Sequence, residues 1–162
     1  MYNRVMNWDL ATDIILYAAI ALVGFFALLG FCEWIKRKSF KKIDQPLKTM
    51  PIPLILMVVI YIVFDYFLIL GTAPNDPTKP SFPSTHAMVV TTIFALTALA
   101  LPHYLKTKTL RFALCLIMLA LLAITAFGRV ISGNHSEIDV ACGIVFGVIL
   151  GTIYYLTLKE KK

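Results

Sequence analysis

Residues 136–158 read SEIDVACGIVFGVILGTIYYLTL, an apolar run whose only charges, Glu137 and Asp139, fall at its start. A run of this length can cross a hydrocarbon core about 30 Å thick, which takes about 20 apolar residues. In lipid the backbone must satisfy its own hydrogen bonds, so the run must be a helix. An acid such as Glu137 is favourable in the first turn, where the helix dipole is positive. Gly143, Gly147 and Gly151 recur at steps of four on the face that carries Asp139. Small residues at that spacing let a second helix approach closely, so this face turns toward a bundle interior.

Working outward, four further stretches have the same length and character: Ala11–Ile35, Pro51–Leu70, Ser84–Tyr104 and Leu110–Phe127. Pro51 and Pro53 suit the first turn of the second of the five helices, where a missing N–H is harmless. The sequence therefore predicts an all-α, polytopic membrane helical bundle with five transmembrane helices, a single membrane domain over residues 1–162. Composition agrees, with 59% apolar residues against roughly 45–50% in soluble domains.

The net charge of +6 does not mark a nucleic-acid binder, because the basic residues sit in clusters between apolar runs, with no aromatics interleaved on a soluble face. There they orient helices and meet anionic headgroups. With five spans, 12 of the 15 basic residues fall on one side, which the positive-inside rule makes cytoplasmic. The first run is preceded by Asp9 and is too long for a signal-peptide core, so it is expected to stay in the mature chain. Cys32, Cys115 and Cys142 lie within apolar runs without metal-ligand spacing, and read as packing residues.

Only Arg4, Lys79 and Arg129 fall on the outer side, and the last two share loops with His86 and His135. A cation that breaks the charge bias beside a histidine points to an anion. In the first outer loop, residues 71–86, Pro83-Ser84 opens the third helix with Ser84 in the N-cap position. The free N–H groups of that helix start make an anion site, and His86 lies in its first turn. In the second loop, residues 128–139, His135 and Asp139 are four apart and share a face. A carboxylate there can hold one ring nitrogen and leave the other free to attack, while Arg129 offers a planar fork suited to phosphate oxygens. Asp65, roughly 8 Å below the outer end of the second helix at 1.5 Å per residue, is costly there unless paired; it either neutralises Arg129 or Lys79, as a supporting residue of the site, or snorkels outward. His103 lies at the cytoplasmic end of the third helix and reads as an interface anchor.

These residues resemble the type 2 phosphatidic acid phosphatases and their relatives, the bacterial acid phosphatases and vanadium haloperoxidases. The family's Pro-Ser-Gly-His motif appears as Pro83-Ser84-Thr85-His86, and its Ser-Arg-x5-His-x3-Asp motif as Gly128-Arg129-x5-His135-x3-Asp139. The resemblance implies that His135 forms a phosphohistidine, Asp139 orients it and His86 protonates the leaving oxygen. It implies that Lys79, Ser84, Thr85 and Arg129 hold the phosphate, with no metal and no cofactor. The substrate it implies is a lipid phosphate or diphosphate in a bacterial inner membrane, with membrane lipids as the surroundings. The chain departs from the family at four points: Thr72 stands for the lysine of a first motif, Lys79-Pro80 is what remains of that motif, and Thr85 and Gly128 replace Gly and Ser. A fifth departure is five spans in place of six. A lipid phosphotransferase, a haloperoxidase and a non-catalytic lipid-binding partner are the alternative readings.

Overall fold

The computed structural model describes residues 7–64 and 82–159, all helices and connecting turns. The helices are α1 (Trp8–Arg37), α2 (Gln45–Thr49), α3 (Pro51–Ile62), α4 (Thr85–Tyr104), α5 (Lys108–Ile131) and α6 (Glu137–Lys159). Among the described residues five spans are long and apolar enough to cross a membrane, with α2 and α3 together forming the second. The chain is an integral membrane protein.

Helix α1 starts three residues before the predicted boundary, because the Asn7 side chain caps it by accepting from the Leu10 N–H at 3.1 Å. The apolar run alone hides this start, since the capping residue and Asp9 are polar. At its far end Lys38 adopts a left-handed conformation, φ 47°, and its N–H closes on the Trp34 carbonyl. Glu33 then accepts from the Asp44 N–H at 2.9 Å and Arg37 pairs with Asp44 at 3.4 Å, tying the turn back to α1. Pro51 opens α3 as expected, but α2 precedes it almost without a break, with Met50 itself helical. The outer part of the predicted second span, residues 65–70, lies outside the described residues.

Helix α4 is the centre of the bundle and α5 the most lipid-facing span. Leu116, Leu119, Phe127, Val145, Ile149 and Ile55 point outward, whereas Thr12, Thr92 and Thr125 are fully buried. This inversion suits a lipid solvent. All three threonines donate to carbonyls of their own helix, Thr12 to Asp9, Thr92 to Met88 and Thr125 to Leu121, so their hydroxyls are satisfied without water.

The glycine stripe of α6 packs on α4. A Cβ at Gly143 would meet the Ser84 carbonyl at 2.6 Å, one at Gly147 would meet Thr91 Cβ at 2.5 Å, and one at Gly151 Ala95 Cβ at 2.8 Å. Only glycine permits this approach. At the end away from Ser84, Phe26, Ile43, Leu47, Met50, Leu96, Ala100 and Tyr154 form an apolar cluster. The Tyr154 hydroxyl donates to the Pro46 carbonyl there at 3.0 Å.

Candidate active site

The starts of α1, α4 and α6 and the end of α5 converge at one end of the bundle. The Ser84 N–H donates to the Asp139 carbonyl at 3.0 Å, joining the two predicted loops through their backbones. Ser84 is the N-cap residue of α4, as expected, but its hydroxyl makes no capping bond. Its Oγ is buried and, among the described residues, has no hydrogen-bond partner. Thr85 and His86 occupy the first turn of α4, where backbone N–H groups have no acceptor within the helix.

Helix α5 runs to Ile131, past the predicted end at Phe127, so Arg129 lies on its last turn and not in a loop. A cation is favoured at that negative helix end. The turn that follows uses Gly133 at φ 75°, a left-handed conformation that glycine adopts without strain. It folds back so that the His135 N–H donates to the Arg129 carbonyl at 3.2 Å. The guanidinium is largely buried, with its Nε lacking a partner among the described residues. Gly128 lets α5 cross α1 closely: a Cβ there would meet Thr12 Cγ2 at 2.6 Å and Trp8 Cε3 at 3.3 Å.

His135 is 7% exposed, and its Nδ1 is buried without a partner among the described residues. The expected ring contact from Asp139 is not made. The Asp139 carboxylate instead accepts from the Ser136 N–H at 2.9 Å, while the Ser136 hydroxyl accepts from the Asp139 N–H at 3.2 Å. This is a reciprocal capping box, and the Asp139 carboxylate satisfies the exposed N–H of Ser136, just before α6, ahead of a side-chain imidazole. Asp139 thus grips the backbone next to His135 and acts on the ring through space. Burial pushes the imidazole below its ordinary value of 6.5; Arg129 pushes the same way, Asp139 opposes and His86 adds a smaller downward push. The neutral ring, which carries a free lone pair, is thereby favoured.

Two carboxylates that the sequence analysis did not assign to the site come from α1. Asp13 Oδ1 lies 2.8 Å from His86 Nε2, and Asp9 Oδ1 lies 3.5 Å from Arg129 Nη1. Asn134 also bonds to Asp9, and to the Ser132 hydroxyl at 2.9 Å. The argument that singles out Asp65 applies equally to Asp13: an acid inside an apolar run requires a partner. Asp9 and Asp13 are also four apart, hence on one helix face.

The structure therefore gathers His86, Ser84, Thr85, Arg129, His135 and Asp139 at one end. Lys79, Thr72 and Asp65 lie outside the described residues. His103 is exposed at the opposite end of α4. Comparisons with curated proteins and with solved structures give no match. The PAP2 superfamily model matches residues 66–162, more than half of the chain, starting beyond α1. The protein thus belongs to the PAP2 superfamily, whose members are phosphatases acting on phosphate esters.

Proposed function

We propose that this protein hydrolyses a lipid phosphate or diphosphate monoester through a phosphohistidine on His135, at the outer face of a bacterial inner membrane. The observation that carries the reading is that three of the seven buried polar side-chain atoms without partners among the described residues belong to this site: Ser84 Oγ, Arg129 Nε and His135 Nδ1. They come from three different segments, beside the free N–H groups at the start of α4. Buried polar groups are nearly always satisfied, and an anion with several acceptor oxygens would satisfy the donors among them.

In the proposed reaction the neutral His135 ring attacks phosphorus while Arg129, Ser84 and the Thr85 and His86 amides hold the phosphoryl oxygens. Lys79 is assigned to the same oxygens. Charge builds up on those oxygens during transfer, so fixed donors in a water-poor site lower the barrier. His86 gives a proton to the leaving alkoxide, and water then cleaves the N–P bond. Asp139 supports His135 by fixing the helix start and by its charge, and Asp65 is assigned to the support of the cations. The site residues face the end opposite the basic clusters Lys36–Lys48 and Lys106–Arg111, which supports an outward orientation. Phosphatidic acid, phosphatidylglycerol phosphate and undecaprenyl diphosphate are the substrate types proposed.

The test is phosphate release in detergent from a panel of diacylglycerol phosphates and polyprenyl diphosphates. Wild-type protein is expected to release phosphate with excess EDTA present. His135→Ala is expected to lose several powers of ten in rate, the scale on which catalytic nucleophiles act. A His135→Ala protein that kept most of its rate would overturn the phosphohistidine. Phosphate recovered on an added alcohol, with none in water, would make the protein a transferase.

A further inference from the structure

Helix α1 lies outside the family match, yet it delivers carboxylates to two of the positively chargeable side chains of the site, His86 and Arg129. Its register is fixed by three independent features. Asn7 caps its start, Thr12 is fully buried against the Gly128 face of α5, and Asp9 meets Arg129. With that register set, Asp13 falls one turn beyond Asp9 and reaches His86 Nε2. Asp13 sits about 8 Å along α1 at 1.5 Å per residue, inside an otherwise apolar run, where an unpaired acid is costly.

We propose that Asp13 is a positioning residue for the proton donor His86, a role that rests on the phosphatase reading above. Its bond occupies Nε2, which leaves Nδ1 as the only ring nitrogen free for substrate. A carboxylate at Nε2 fixes the tautomer and ring orientation. The charges around the His86 ring are Asp13 and Asp9 of α1, Arg129 of α5 and His135 before α6. In the transfer step the His135–phosphorus bond forms and the phosphorus–alkoxide bond breaks. The Nδ1 proton of His86 passes to the departing oxygen, and the Nε2 proton stays in its bond to Asp13, which takes up no proton itself. Neutral His86 then accepts a proton from the water that cleaves the phosphohistidine, and the site returns to its starting state.

A proton donor matters most when the leaving group is a poor one. The experiment therefore compares kcat/KM for dioleoyl phosphatidic acid, which must expel an alkoxide, with that for p-nitrophenyl phosphate, whose phenolate leaves unaided. Asp13→Asn is expected to lose about 10- to 100-fold on phosphatidic acid, part of the 10²–10⁴ that a general acid supplies. On the aryl ester the loss should shrink below about threefold, and that residual rate also reports a folded protein. Adding Asp13→Asn to His86→Ala should produce no further loss on phosphatidic acid, since the two act as a unit. Equal losses on both esters would make Asp13 merely structural and overturn the proposal. A rise in rate would overturn it too, marking the bond as a clamp that substrate must displace. Wild-type protein inactive on both esters would instead refute the phosphatase reading, and the role of Asp13 with it.

Discussion

The α4–α6 pair and helix α1 meet the same site by different means. Between α4 and α6 the fit is made by backbone: Gly143 lies against the Ser84 carbonyl and Gly147 against Thr91 and the Thr92 N–H. Helix α1 touches the site through side chains, with Asp13 on His86 and Asp9 on Arg129, and is spaced from α5 by Gly128 and Thr12. The difference teaches a division of labour. The glycine seam fixes where the two motifs sit relative to each other, because a helix backbone cannot yield locally. The α1 contacts set how the donors are charged and aimed, because side chains can.

If that division holds, the largest effect should come from the seam directly beneath the site. Gly143→Ala places a methyl group 2.6 Å from the Ser84 carbonyl and 3.1 Å from the Met88 N–H. Neither atom belongs to a flexible side chain, so the two motifs must separate. A misplacement of about 1 Å costs on the order of 100-fold in rate, and phosphate release should fall by that much. If Gly143→Ala kept full activity, the seam would not control the alignment of the motifs.

Gly128→Ala tests the softer contact. Its methyl group would meet Thr12 Cγ2, the tip of a side chain, at 2.6 Å. Overpacking of this kind costs about 1–3 kcal/mol, read as a lower unfolding temperature in detergent. Thr12→Ser removes that Cγ2 while keeping the hydroxyl that donates to the Asp9 carbonyl. The double variant should recover most of the loss, with Trp8 Cε3 at 3.3 Å limiting the rescue. The same pair accounts for glycine at 128 where the family has serine: the crossing of α1 leaves no room for a side chain.

How much of this was legible in the sequence depends on which physical signal each part emits. Five spans and their alternation follow from apolar run length and from where the lysines and arginines fall, both summed over many residues. The glycine seam was legible because its spacing of four is a helical period, although the partner helix was not. The two motifs carried His86, Ser84, Thr85, Arg129, His135 and Asp139 to one place. The ends of α1 and α5 were hidden because hydropathy stops before the helix does, at Asn7 and at Arg129. Asp13 was hidden by its neighbours, an acid in a run whose average remains apolar. The Asp139 carboxylate had two available partners four residues or fewer away, the His135 ring and the Ser136 N–H, and sequence spacing does not choose between them.

The smallest effect expected is a shift of the pH profile, and it separates charge from alignment. The nucleophile must be neutral, so kcat/KM falls as pH drops through the value at which His135 gains its proton. Burial and Arg129 hold that value below the ordinary 6.5, and the acid limb should lie there. Asp139 is the charge that favours the protonated ring, so Asp139→Asn should move the limb to still lower pH. Comparing the two proteins on one substrate cancels the substrate's own ionisation. Loss of the cap on Ser136 would also lower the rate at every pH, but it would leave the midpoint in place. A limb that moved upward, or did not move while the rate fell, would mean that Asp139 serves His135 through the helix start alone.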